Sequence, residues 1–260
     1  MTPAVLYCTM RCLFCWRVQS GDGGIRWEET ELPEWDAPNE IVEGCIRAQL
    51  KLLSGYKANP KVDLTKYKEA LTPRHAAISL TGEPTLYSRL GGLIQSFHRK
   101  GFTTFLVSNG TQPKAFSQLT EEPTQLYISV SAFDKKNFIE TCRPQIPNAW
   151  ENLNETLSLL PSFKCPTVIR ITLARHLNLK NPQLYARLIH KANPTYVEPK
   201  AYMHVGFSRL RLGFENMPTH MEIQSFAYQL AKEMGYNILD EAPESRVVLV
   251  SRLEQPVKLA

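Results

Sequence analysis

Tyr7-Cys8-Thr9-Met10-Arg11-Cys12-Leu13-Phe14-Cys15-Trp16-Arg17 sets three cysteines at the spacing Cys-x-x-x-Cys-x-x-Cys. The stretch follows a short apolar run, Ala4 to Tyr7, that reads as a β-strand. The chain has six cysteines in all, and the other three, Cys45, Cys142 and Cys165, are scattered. That is no disulfide framework; a tight cysteine cluster in a reducing compartment reads as a metal site. Structural zinc sites want four ligands in paired spacings, and no second Cys or His pair lies nearby. Three thiolates suit a four-iron cubane better, because they leave one iron without a protein ligand and so open to a small molecule.

Working outward, short β-branched runs alternate with longer segments of helical period, the mark of repeated βα units around a parallel sheet. Strands are expected at Ala4 to Tyr7, Ala76 to Leu80, Thr103 to Val107, Leu126 to Val130, Thr167 to Leu173 and Thr195 to Glu198. Helices are expected at Asn39 to Leu53 with Asn39 as cap, Leu90 to Lys100, Trp150 to Leu160, Gln183 to Lys191 and Thr219 to Met234. Two late pieces, Asn237 to Leu239 and Arg246 to Ser251, suggest a hairpin-like addition, and Gln19 to Pro38 a long loop of the kind that serves function. The fold class is therefore α/β, a partial (βα)6 barrel with a small C-terminal extension. One domain is expected over 1–260, with a core of about 1–200 and an extension of about 201–260.

In such a barrel the C-terminal ends of the strands share one site. Gly82-Glu83-Pro84 follows the second expected strand, Ser108 and Asn109 end the third, Ser129 and Ser131 the fourth, and Arg170, Thr172 and Asn178 occupy or follow the fifth. As a set they resemble the polar lining of a ligand pocket.

The cysteine spacing with Phe14 before its third member, together with Gly82-Glu83-Pro84, resembles the radical S-adenosylmethionine (SAM) superfamily. The likeness narrows over Ser79-Leu80-Thr81-Gly82-Glu83-Pro84-Thr85-Leu86-Tyr87, Phe105-Leu106-Val107-Ser108-Asn109-Gly110, Thr124-Gln125-Leu126-Tyr127-Ile128-Ser129 and Glu198-Pro199-Lys200-Ala201-Tyr202-Met203-His204-Val205-Gly206. Over nearly the whole chain it is similar to the archaeal tRNA 4-demethylwyosine synthases. The resemblance implies a 4Fe-4S cluster on Cys8, Cys12 and Cys15, with SAM on the open iron. It implies SAM contacts from Phe14, Gly82, Glu83, Pro84, Ser108, Asn109, Ser129 and Arg170, with the Gly82 to Pro84 segment taking the amino group. Reduction of SAM would release a 5′-deoxyadenosyl radical. The substrates implied are N1-methylguanosine beside the anticodon of tRNA-Phe, and pyruvate, with loss of the pyruvate carboxylate on ring closure. The enzyme would then be a lyase of the carbon-carbon class.

The family also carries a second 4Fe-4S cluster on cysteines upstream of the motif, with a lysine that acts on pyruvate. Those ligands are absent from the residues before Cys8. Two further departures are Met10, where the family often has His, and Ser131, where it usually has Asp. No flavodoxin-like domain is visible, so an external electron donor such as a flavodoxin or ferredoxin is expected.

A net charge of +5 with 43% hydrophobic residues suits a globular protein with a phosphate-bearing partner. No apolar run is long enough to span a bilayer and no secretory signal opens the sequence, so no membrane partner and a cytoplasmic location are expected. A base must leave the anticodon stack to reach a barrel interior, and basic and aromatic residues at the mouth would hold it. Lys200, Tyr202, His204, Arg209 and Arg211 are the candidates. Two other readings fit the same cysteines: a radical SAM activase or small-molecule enzyme without tRNA, and a non-catalytic iron-sulfur module for RNA binding or electron transfer.

Overall fold

Runs rich in Val, Ile and Thr pair side by side while helical stretches cross over between them, as parallel strands require. The computed structural model describes residues 1–257. In chain order the elements are α1 (Pro38–Leu53), α2 (Leu64–Ala70), β1 (His75–Ile78), α3 (Leu90–Arg99), β2 (Thr103–Ser108), α4 (Pro113–Ser117), β3 (Gln125–Ser129) and α5 (Lys135–Cys142). They continue with α6 (Ala149–Leu159), β4 (Thr167–Leu173), α7 (Pro182–His190), β5 (Tyr196–Ala201), α8 (His220–Met234), β6 (Asn237–Ala242) and β7 (Val247–Ser251). One seven-stranded sheet runs β1-β2-β3-β4-β5-β7-β6. β1 to β5 are parallel neighbours, and the β6–β7 hairpin continues the sheet antiparallel to β5. The sheet does not close, which is the partial barrel that the sequence pattern implies.

The two faces of the curved sheet differ in chemistry. Along β4, Val168, Ile169, Ile171 and Leu173 are buried while Arg170 and Thr172 are partly exposed. β3 and β5 carry the same alternation, with Tyr127, Ser129, Glu198 and Lys200 on the less buried face. A strand's period of two therefore delivers a polar inner lining and an apolar outer face that packs on helices. On α3, Leu90, Leu93, Ile94 and Phe97 are buried at helical spacing, and on α8 so are Ile223, Phe226, Ala227, Leu230, Ala231 and Met234. α8 lies against β5, β6 and β7. Thr219 caps it, accepting from Glu222 N while the Glu222 carboxylate accepts from Thr219 N.

Three local expectations are corrected. Ala4 to Tyr7 is not a strand but a turn, closed by Tyr7 N donating to Ala4 O at 3.2 Å. Pro3 has no N–H to give a ladder, and only Met1 reaches β1, its amino group donating to Ala77 O at 2.8 Å and its carbonyl accepting from Ser79 N. Asn39 does not cap α1: Pro38 takes the first helical position, Glu40 accepts from Ala37 N, and the Asn39 side chain accepts from Ser96 on α3. The short helices α2, α4 and α5 lie in segments for which no element was expected. Among the described residues no helix is long and apolar enough to cross a membrane.

Candidate functional site

The inner face of the sheet, the cysteine loop and the segment after β5 enclose a cavity of about 450 Å³. Cys8, Cys12 and Cys15 all line it, with Phe14 and Trp16 from the same loop. Gly82, Glu83, Ser108, Asn109, Ser129 and Arg170 line it from the strand ends, and Lys200 and Tyr202 from β5 and beyond. Pro84 is buried in the one-turn helix after Glu83. Thus the residues expected from six separate stretches of sequence come to one place.

The cysteine loop has no regular structure of its own, so its shape is imposed from outside. Arg17, 3% exposed, donates to Val18 O, Met10 O and Glu29 Oε1, the last at 2.7 Å. Glu29, 1% exposed, also accepts from Arg11. Two guanidiniums on one buried carboxylate offset its desolvation and fix both flanks of Cys12. Arg211 does the same from the far end of the chain. Its guanidinium pairs with Asp22 at 2.5 Å and donates to the carbonyls of Leu13, Cys15 and Arg17.

Glu83 clamps the opposite wall. Its Oε1 accepts from Thr85 N, Thr85 Oγ1 and Ser108 Oγ, its Oε2 from Asn109 N, and its own N–H donates to Tyr7 O. Burial pushes its carboxyl up, against the pull of these donors. The carboxylate expected to meet the SAM amino group is thus committed first to joining the β1 and β2 loops. Asn109 Nδ2 in turn donates to Thr9 Oγ1 at 2.9 Å and to Cys8 Sγ at 3.7 Å. Leu80, with φ 97°, holds a left-handed conformation costly for a branched side chain at the cavity edge.

The donor set fits an iron-sulfur cluster. Burial pushes the Cys8 thiol up to about 12, opposed by Arg17; a hydrogen bond to Cys142 and then burial raise Cys12 well above the ordinary value; burial raises Cys15. Thiols so placed ionise when a metal takes the charge. Among the described residues no three His, Cys, Asp or Glu side chains converge on a single ion, whereas a cubane takes its thiolates from wider apart. Room beside them comes from Gly82, φ 71°, where a Cβ would stand 1.6 Å from Ala4 O.

The residues expected at the mouth divide. Arg209 is exposed and His204 half-buried. Tyr202 is 1% exposed, its hydroxyl held by His204 Nδ1 and Ser208 Oγ. Lys200 lines the cavity, and Arg211, 7% exposed, is spent on the cysteine loop. Trp16 and Val205 line the cavity and are exposed, and the segment after β5 that contributes to it also bears Phe207, Leu210 and Phe214, all five at least 43% exposed. Phe207 N donates to Trp16 O, and Phe214 meets His204 edge to face at 6.0 Å. Trp16, Phe207, Phe214 and the Arg17–Glu29 pair were not among the expected site residues, although the sequence interleaves aromatics with Arg209 and Arg211.

A cubane-type cysteine triplet at the mouth of an open parallel barrel defines the radical SAM class. The family model described as Radical SAM superfamily matches residues 4–189, and the one described as Wyosine base formation matches 191–252. The S-adenosyl-L-methionine-dependent tRNA 4-demethylwyosine synthase of Pyrococcus abyssi is 49% identical over 97% of this chain and 74% of its own length. A solved structure of TYW1 with a lysine-pyruvate adduct bound superposes with TM-score 0.86 at 37% identity, over 98% of this chain and 80% of that one. The crystal structure of archaeal TYW1 gives 0.77 at 33%, over 96% and 77%. The chain belongs to the tRNA 4-demethylwyosine synthase family.

Proposed function

We propose that this chain acts on tRNA, converting N1-methylguanosine beside the anticodon of tRNA-Phe, with pyruvate, to 4-demethylwyosine, as a carbon-carbon lyase. The observation that carries the reading is the convergence of Cys8, Cys12 and Cys15 with Arg170, Lys200 and the exposed Trp16 on one cavity. Cys8, Cys12 and Cys15 would hold the cluster, and Gly82, Ser108, Asn109, Ser129, Phe14 and Arg170 would seat SAM. Together these groups supply hydrogen-abstracting radical chemistry when bound.

The chain's own residues do the rest. Glu83 keeps the β1 and β2 loops at a fixed distance, and Asn109 holds Cys8 through an N–H···S contact. Trp16, Phe207 and Phe214 offer faces on which an unstacked base can lie, and Arg209 a cation for its phosphate. Pyruvate as second substrate is supported by the relative solved with a lysine-pyruvate adduct. Electrons come from an external flavodoxin or ferredoxin. The β6–β7 hairpin shares the main sheet, which supports reading residues 1–260 as one domain.

Anaerobic reconstitution followed by SAM and dithionite, with and without N1-methylated tRNA-Phe, tests the reading. It predicts 5′-deoxyadenosine formation that rises with the tRNA, and a mass gain on the guanosine only when pyruvate is present. Deoxyadenosine release indifferent to tRNA would remove the assignment.

A further inference from the structure

The cavity holds three charged residues, Glu83, Arg170 and Lys200, and two of them are already satisfied. Glu83 is enclosed by four protein donors. Arg170 pairs with Glu198 at 2.8 Å and stacks its guanidinium over the Tyr127 ring at 4.7 Å. Lys200 has no ion pair or side-chain hydrogen bond among the described residues. It shares the inner face of β5 with Glu198, but two residues along a strand separate them by roughly 6.6 Å. Its strand partners are Thr172 on β4 and Val247 on β7, neither of which is anionic. A partly buried ammonium without a counter-ion is costly, and the cost is recovered when an anion arrives.

We propose that Lys200 is the counter-ion for a ligand carboxylate inside the cavity, rather than a phosphate contact at its mouth. Resting on the function proposed above, two carboxylates can reach it: that of the methionyl part of SAM and that of pyruvate. Both are small, planar and singly charged, and both must lie in this cavity for the reaction to proceed. Arg170, the other cation of the cavity, is already paired with Glu198. The level of Lys200, two residues nearer the mouth than Arg170, suits the substrate that enters last.

The test compares wild-type protein with K200Q and K200R, each loaded with cluster and matched for iron content and melting temperature. One arm measures SAM binding by equilibrium dialysis. A second measures the half-saturating concentration of pyruvate in tRNA conversion and the concentration of its uncharged methyl ester that half-inhibits that conversion. A third measures tRNA binding across salt. The expected result is a loss of about tenfold or more in K200Q for one of the two carboxylates, with most of it regained in K200R. If pyruvate is the ligand, the wild-type preference for pyruvate over its ester disappears in K200Q; if SAM is, the dialysis arm moves and the preference stays. Should K200Q not fold, K200M takes its place. Unmoved affinities for both carboxylates, or a defect confined to tRNA binding, would overturn the proposal. SAM cleavage indifferent to tRNA in the wild type would instead remove the function, while the dialysis arm still reports on Lys200.

Discussion

The guanidinium of Arg211 donates to the main-chain carbonyl of Cys15, a contact 196 residues apart in sequence. The segment after β5 thereby sets the shape of the loop that holds all three cysteines. With Asp22, Leu13 and Arg17 as its other acceptors, Arg211 is a buried cation, 7% exposed. R211M takes the cation from the Asp22 carboxylate, 14% exposed and left with only the Gln19 N–H, and strips this donor from three carbonyls, which costs about 3 kcal/mol or more. A lower melting temperature and a reduced iron content after reconstitution are the expected outcomes. R211K, which can reach one or two of the four acceptors, should fall between. A variant that loads iron as the wild type does would show that the loop keeps its shape without this brace.

Gly82 is constrained from two sides at once. Its φ of 71° suits glycine, and a Cβ there would also meet Tyr7 O at 2.7 Å. Both obstacles are backbone atoms of the turn that leads into Cys8, so neither can rotate away. G82A should cost about 3 kcal/mol and weaken SAM binding by pushing the Cys8 turn from the β1 loop. Urea unfolding read against equilibrium dialysis with SAM would separate the two effects. The neighbouring N–H, of Glu83, already donates to Tyr7 O at 2.8 Å, so any displacement breaks that bond as well.

These two positions also show what the sequence could and could not announce. The strands β2 to β5 are legible because they are short β-branched runs, and α3 and α8 because apolar residues recur at helical spacing over ten or more positions. The convergence of the residues expected at a cofactor was legible because they sit at strand ends and topology carries them to one cavity. Arg211 was visible as a basic residue, but nothing local says that its partners are Asp22 and the cysteine loop; that pairing is a property of the closed fold. The run Ala4 to Tyr7 misled because apolar composition does not make a strand: the chain turns there, with Ala4 buried and Val5 and Leu6 exposed. Lys200 and Arg209, nine positions apart, look alike as charges, and only the pleat of β5 sends one inward.

Arg175 and Glu222 provide a pH-dependent tie for the same region. Arg175 donates through Nε and Nη2 to the two oxygens of Glu222 and through Nη1 to Glu215 O, which secures the turn bearing Phe214. The bond to Arg175 holds the Glu222 carboxyl at about 2, against an ordinary 4.5. A carboxyl lowered on folding adds stability that is present above the unfolded value and is lost as pH falls through the folded one. The pair is more than a third exposed on the Glu222 side, at 37%, so solvent screening makes its contribution modest. E222Q should therefore melt a few degrees below the wild type near neutral pH, with the difference shrinking between pH 4.5 and about 2. A constant offset over that range would mean that the capping role of residue 222 at α8, not its charge, carries the effect.

Arg209 and Phe214 should separate by salt. Arg209 is an exposed cation with no ion-pair partner among the described residues, and a phosphate is the anion it can neutralise. R209A should weaken tRNA binding alike for methylated and unmethylated transcripts, and reduce the slope of log affinity against log salt by about 1. Phe214, 68% exposed and braced edge to face by His204, carries no charge. F214A should cost roughly 1–3 kcal/mol of binding through lost stacking, leave the salt slope unchanged, and act only where an unstacked base is available. Filter binding of a tRNA-Phe transcript and of an isolated anticodon stem closed by a stable tetraloop makes the distinction: the arginine variant should lose affinity for both, the phenylalanine variant for the first alone. If both variants changed the salt slope equally, the aromatic rim would be a spacer for phosphates and the flipped base would have to lie deeper, against Trp16 at the cavity itself.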